Sequence, residues 1–270
     1  MLYRKIAPSL PLQSFVECYY VWENELLLQA PLMVESPPNG FVAMVFIYGD
    51  RYRVGKNQEI QEVVPQSFLA GQFTRNYTLH LQGKLGMLGI VFKPAAVASI
   101  FKVPMVELTN QRAALDAVLG AEARELNDKI LEAPDHTARI SLVEAFLLAK
   151  ICASSFKIDV VDYAVDLILE KKGSLSVKDL AQELHLCRRQ FERRFMAKVG
   201  LPPKYYARIK RLGYVCSLLA NGKPFNWHDI IYEGGFYDQS HFIKDFTEFI
   251  GKAPSEYVLE NQELNKFLDR

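Results

Sequence analysis

Residues 176–200, SVKDLAQELHLCRRQFERRFMAKVG, hold two helical patterns with a short break between them. In the first, Val177, Leu180, Ala181 and Leu184 recur at i, i+3, i+4 and i+7, which puts them on one apolar face. Ser176 is a good N-cap, and Asp179 three residues on suits the return bond of a capping box. His185, Leu186 and Cys187 interrupt the pattern. A thin aromatic stripe follows at Phe191, Phe195 and Val199. Arg188, Arg189, Gln190, Glu192, Arg193, Arg194 and Lys198 lie between those positions, so this helix shows a wide basic face with one carboxylate in it. Such a helix is either a solvated surface element or one built for an anionic partner.

The same plan recurs about 50 residues on, in residues 226–251, NWHDIIYEGGFYDQSHFIKDFTEFIG. Ile230 and Ile231 belong to a first helix, Gly234, Gly235 and Phe236 to the break, and Asp238 is a fitting N-cap. Phe242, Phe246 and Phe249 form the second stripe. Two short helices joined by a tight turn are the size of a helix-turn-helix, whose second helix enters a DNA major groove. Between the copies, PPKYYARIKRLGYVCSLLANG reads as one long helix, with Pro203 in its first turn and Asn221-Gly222 at its end. From Lys204 to Leu219 it would be roughly 24 Å long. A strut of that size could hold two such helices about one DNA turn, roughly 34 Å, apart.

Residues 174–258 resemble the DNA-binding domain of the AraC/XylS family of bacterial transcription regulators. The resemblance lies in LSVKDLAQELHLCRRQFERRF, GLPPKYYARIKRL and GGFYDQSHFIKDFTEFIGKAPSEYV. Small departures stand beside it. Cys187 occupies a position where the family usually has a capping Ser, Ile231 and Cys216 stand where Ala is common, and Glu192 brings a negative charge to the first reading face. The resemblance implies double-stranded promoter DNA as a partner, with RNA polymerase and a second copy of the chain as further ones. It also implies a cupin-like or jelly-roll sensor domain ahead of the helices.

With Phe191 and Phe195 turned to the core, Arg189, Glu192 and Arg193 point outward together. By resemblance these are base-contacting positions. Arg suits guanine O6/N7 and Glu accepts from cytosine N4. The outward set of the second copy is Gln239, Ser240, Ile243 and Lys244, and of these Gln239, Ser240 and Lys244 are the candidate base contacts. Arg188, Arg194, Lys198, Lys204, Arg208 and Lys210 are candidates for the DNA backbone or equally for solvated charges.

The charge is distributed to match. The 270 residues carry a net charge of only +1. Residues 171–258, however, hold 15 Lys+Arg against 9 Asp+Glu, a net +6, while residues 1–170 hold 15 against 19, a net −4. Phosphate contact confined to one end of the molecule fits that asymmetry. No apolar run approaches the roughly 18 residues of a membrane span. MLYRKIAPSLPLQ has no apolar core of a signal peptide, and Cys18, Cys152, Cys187 and Cys216 form no C-x-x-C, so a reducing cytoplasm is expected.

Residues 1–92 are strand-like. Residues 41–48, bounded by Asn39-Gly40 and Gly49-Asp50, read as a buried strand, and 51–54, 67–70, 76–81 and 87–92 continue the style. Short strands every ten residues or so argue a β-sandwich or small barrel. From Pro94 the period changes, and helices are expected over 95–101, 115–119, 121–131 and 137–151. In the last, Ile140, Val143, Leu147 and Ile151 share a face that suits either a dimer seam or the domain's own core. Residues 153–157 are the candidate linker, and 159–171 a helix of the C-terminal domain.

Catalysis has no support. His80, His136, His185, His228 and His241 lack metal-ligand spacing. Gly83, Gly86 and Gly89 do not make a dinucleotide loop, and no G-x-S-x-G elbow appears. No cofactor and no metal are expected. Trp22, Phe41, Phe46, Tyr48 and Phe92, with Arg75 for an acidic group, are the candidates for an effector pocket, against ordinary core packing. The expected architecture is α+β and multidomain: a β-rich, cupin-like sensor domain over 1–153, an all-helical double helix-turn-helix over 154–258 and a polar tail over 259–270. The expected function is sequence-specific transcription regulation, responsive to a small-molecule effector. The alternative is an N-terminal domain that only binds protein or dimerises.

Overall fold

The computed structural model describes residues 2–24, 26–56, 59–154, 158–220 and 225–259. Residues 155–157 of the expected linker, the Asn221-Gly222 helix end and all but Leu259 of the expected tail lie outside them. Ten strands and ten α-helices occur among the described residues.

The strands are β1 (Leu2–Ile6), β2 (Val16–Glu23), β3 (Leu28–Ser36), β4 (Val42–Ile47), β5 (Arg53–Lys56), β6 (Glu59–Val63), β7 (Ser67–Ala70), β8 (Tyr77–Gly83), β9 (Gly86–Phe92) and β10 (Arg112–Ala114). They form two antiparallel sheets, one in the order β1-β2-β9-β4-β7-β10 and one in the order β3-β8-β5-β6. The larger sheet is buried on both faces, so its central strands are almost continuously apolar. On one face Tyr19, Val21, Val42, Met44, Phe46, Leu88, Ile90 and Phe92 pack against helices. On the other, Val45, Ile47, Phe68 and Met87 face the smaller sheet with Tyr52, Val54 and Leu81.

The helices on the first face are α1 (Ala96–Phe101), α2 (Leu115–Leu119), α3 (Ala121–Glu132) and α4 (His136–Ala153). Asp135 caps α4 by accepting from the Ala138 N–H at 2.9 Å. Val143 and Leu147 of α4 are fully buried in the β-domain core, and Ile140, Leu148 and Ile151 pack against it. The shared apolar face is therefore core and not a free dimer seam. A helix lying on a sheet must bury its stripe there first, and no second apolar stripe is left over.

The second half is helical: α5 (Val160–Glu170), α6 (Val177–Glu183), α7 (Arg188–Val199), α8 (Pro203–Ala220), α9 (Trp227–Glu233) and α10 (Gln239–Ile250). Asp159 and Asp162 make a reciprocal capping box at the start of α5. These helices share one core, in which Phe191, Phe195, Tyr206, Ile209, Phe242, Phe246 and Phe249 are buried. No helix among the described residues is long and apolar enough to cross a membrane.

Candidate nucleic-acid interface

The two helix-turn-helix copies are α6–α7 and α9–α10, joined by α8, whose 18 residues span about 27 Å. The turns close alike. The His185 N–H donates to the Gln182 carbonyl and Leu186 to Ala181, while Gly235 donates to Tyr232 and Phe236 to Ile231. His185, at φ +53°, thus takes the left-handed backbone that Gly235 takes at +68°. Beyond the turns the copies differ by one residue. Leu186 and Phe236 stand 50 positions apart, Phe191 and Phe242 stand 51 apart, and Tyr237 is the extra residue.

The caps differ as well. Asp238 accepts from the His241 N–H at 2.7 Å, whereas Cys187 offers the start of α7 no side-chain bond. Edge-to-face rings form a stripe along each of these helices, Phe191 with Phe195 at 5.7 Å and Phe242 with Phe246 at 5.6 Å. Phe195 then reaches Tyr206 of α8, and Phe242 reaches Trp227 of α9.

With the aromatic stripes inward, Arg189 and Arg193 of α7 are exposed, as are Gln239, Ser240, Ile243 and Lys244 of α10. Arg188, Arg194 and Lys204 are exposed too. Glu192 does not stand alone on this face: it accepts from Arg188 Nε at 2.8 Å across one helical turn. That exposed i,i+4 pair neutralises both groups locally.

Three of the cations considered for the DNA backbone are committed elsewhere. Lys198 Nζ sits 3.0 Å from Asp159 and 2.6 Å from Asp162, the two capping carboxylates of α5. Arg208 forks onto Asp245, Nε to Oδ2 at 3.2 Å and Nη2 to Oδ1 at 2.7 Å, and reaches Glu248 at 2.6 Å. Lys210 turns toward the β-domain, donating to the Asn39 carbonyl at 2.9 Å with its Nζ 3.5 Å from the centre of the Phe41 ring. Burial pushes its pKa down to about 7. A helix carries charge on every side, and only some of it faces solvent.

Sequence reasoning missed Tyr237 and Tyr232, which are 94% and 86% exposed on the second copy. Tyr237 lies immediately ahead of the Asp238 cap. A large aromatic so placed has no packing role and is suited to a phosphate or sugar. The signal was present in the one-residue offset between the copies.

The β-domain reaches both reading helices. Thr109 Oγ1 donates to the Gly200 carbonyl at the end of α7 at 2.8 Å. The Asn76 N–H donates to the Phe249 carbonyl near the end of α10 at 2.9 Å. Lys252, just beyond α10, pairs with Glu35 of β3 at 2.6 Å, and Tyr205 on α8 donates to the Thr74 carbonyl at 3.3 Å.

The residues considered for an effector pocket do not converge. Phe46, Tyr48 and Phe92 face the helices of the β-domain, and Tyr48 donates to Glu23 at 2.5 Å. Phe41 lies at the contact with α8, Arg75 is exposed, and only Trp22 faces the space between the sheets. Strand alternation sends successive side chains to opposite faces, so aromatic content along a strand does not mark one cavity. No cluster of His, Cys, Asp and Glu suited to a metal occurs among the described residues.

Comparison with known proteins yields two family matches. Residues 4–114 match a domain of unknown function (DUF6597), and residues 180–259 match a helix-turn-helix domain of the AraC type. No curated protein matches the chain. Among solved structures, ToxT from Vibrio cholerae is similar at 15% identity, covering 88% of this chain and 98% of its own, with a TM-score of 0.46. An apo substituted form of ToxT covers 95% and 99% at 15% identity, with a TM-score of 0.48. The AraC-like transcriptional activator CuxR covers 86% and 91% at 15% identity, with a TM-score of 0.30. The family match over 180–259 spans both helix-turn-helix units, and it marks this part of the chain as a helix-turn-helix domain of the AraC type.

Proposed function

We propose that the chain recognises a promoter duplex through α7 and α10 together, and that its β-domain governs how those two helices are presented. Arg189 and Arg193 read bases in one half-site, and Gln239, Ser240 and Lys244 in the other. Arg194, Lys204 and Tyr237 hold the backbone. The observation that carries the reading is the pair of bonds from Thr109 and Asn76 to the C-terminal ends of both reading helices. A change in the β-domain is thereby transmitted to two helices at once. A small-molecule effector in the β-domain is the input this arrangement suits, in a cytoplasmic regulator that meets RNA polymerase at the promoter.

The test is selection of a binding site with the full chain, followed by titration across salt. With Lys198, Arg208 and Lys210 committed and Arg188 paired to Glu192, Arg194 and Lys204 neutralise about two phosphates, so log K falls with log salt at a slope of about −1.8, steeper where the base-reading cations also release counterions. Thr109→Val and Asn76→Ala substitutions then alter affinity for the two half-sites unequally. A salt-insensitive affinity rejects the DNA-contact surface. Unchanged half-site preference in both variants rejects control by the β-domain and favours a domain that only binds protein.

A further inference from the structure

The space between the two sheets contains polar groups that the fold itself does not use. Register fixes which side chains share that face of the larger sheet. One row runs Cys18–Val91–Ala43–Ala70–Arg112 across β2, β9, β4, β7 and β10, and the next runs Tyr20–Gly89–Val45–Phe68. The middle of these rows is small. A Cβ at Gly89 would lie 2.0 Å from the Tyr20 ring, so that ring rests directly on the glycine backbone. Tyr77 of β8, and Tyr52 just ahead of β5, come from the opposing sheet and join the same apolar cluster.

Arg112 stands at the edge of this space. Its guanidinium carbon is 4.2 Å from the centres of both the Phe73 and Tyr77 rings, which meet each other at 4.7 Å in a V. It has no carboxylate partner among the described residues, and its Nη2 is buried without a hydrogen bond. Tyr52 is only 6% exposed, and neither its hydroxyl nor those of Tyr20 and Tyr77 hydrogen-bonds to a described residue. Tyr52 lies within electrostatic reach of Tyr77 and Arg112, and Tyr20 within reach of Tyr52 and Tyr77. Leaving a buried donor unpaired costs stability, so the open Nη2 of Arg112, with the unused phenols beside it, is what an outside partner would meet.

We infer that Arg112, Tyr20, Tyr52 and Tyr77 form a binding site for a small organic carboxylate between the two sheets. The chemistry is one-sided. Arg112 brings a permanent positive charge that repels cations. Burial holds the Tyr20 and Tyr52 phenols well above their usual pKa, so they keep their protons and donate. The rings of Phe73 and Tyr77 cover a face of the guanidinium and leave its edge, a planar fork that matches a carboxylate. Val45, Val54 and Leu81 offer an apolar wall for the rest of the molecule. The inference rests on the reading that the β-domain receives an effector, and it names the effector's class.

Calorimetry with the full chain tests it, using phenylacetate, phenylacetamide and inorganic phosphate as probes. Phenylacetate binds, phenylacetamide binds at least ten-fold more weakly, and phosphate does not compete. Arg112→Gln weakens phenylacetate at least ten-fold, while Arg75→Gln, at an exposed arginine, leaves it unchanged. Should Arg112→Gln fail to fold, the Tyr20→Phe/Tyr52→Phe variant removes two oxygens without changing ring shape and weakens binding several-fold. Equal binding of the amide and the acid, competition by phosphate, or full affinity in the Arg112 or Tyr variants overturns the inference, as does failure of phenylacetate to bind. Binding with the expected selectivity but no change in DNA affinity at saturation retains the anion site and rejects its role as the effector site.

Discussion

Arg208 of α8 grips Asp245 of α10 with two parallel bonds, at 2.7 and 3.2 Å, and Asp245 is only 3% exposed. The strut is thereby pinned to the second reading helix through a nearly buried carboxylate. Glu248 takes the remaining reach of the guanidinium, and His241 Nε2 stands 3.6 Å from the same Asp245. The role is architectural, although the residue's charge and position suggested DNA.

Arg208→Ala is expected to destabilise the chain by about 3 kcal/mol, because a buried carboxylate loses its counter-charge. Urea unfolding measures this. The double variant Arg208→Met/Asp245→Leu recovers most of the loss, since both charges leave together. A single variant as stable as the parent would show that the pair is dispensable.

Arg193→Ala is expected to behave in the opposite way. The side chain is exposed on α7, so stability changes by less than about 0.5 kcal/mol. Specific DNA affinity falls by about 1–3 kcal/mol, and preference relaxes at one base pair. Site selection with the variant checks it, and equal losses on specific and random duplexes would contradict a base contact.

Cys187→Ser supplies the cap that α7 lacks. Ser accepts from the free N–H groups of the first turn, as Asp238 does for α10. The gain expected is about 0.5–1 kcal/mol, read as a higher midpoint in thermal unfolding. Cys187→Ala is the control and brings no gain, because it adds no acceptor.

The helical half was legible because its signals are local and repeated. Phe191/Phe195 and Phe242/Phe246 at helical spacing, the glycines in the second turn, and the Ser176 and Asp238 caps each act within one turn of chain. Pairings at long range were not legible. Nothing near Arg208 points to Asp245, 37 residues away, and nothing near Lys198 points to Asp159 and Asp162. In the β-domain, strands could be expected from residue 41 onward, but which face each aromatic took could not. That depends on which strands become neighbours. Arg112 shows the limit most clearly, since its three-residue strand β10 gains meaning only by pairing with β7.

Lys210 makes the contact between α8 and the β-domain sensitive to pH. Its amine donates to the Asn39 carbonyl beneath the Phe41 ring, and burial lowers its pKa from 10.5 to about 7, with Glu17 partly opposing the shift. In the unfolded chain the amine keeps its ordinary pKa. Between pH 7 and about 10.5 the unfolded state therefore binds more protons than the folded one, and stability rises with pH through that window. Below pH 7 both states carry the proton and the contribution is flat at its least favourable. One group sets a ceiling of about 1.4 kcal/mol per pH unit on the slope. Lys210→Met keeps the stem and removes the titration. Urea unfolding of parent and variant at pH 7, 8 and 9 gives a stability difference that moves in the parent's favour as pH rises. Parallel curves would mean that Lys210 titrates in the folded chain as it does in water.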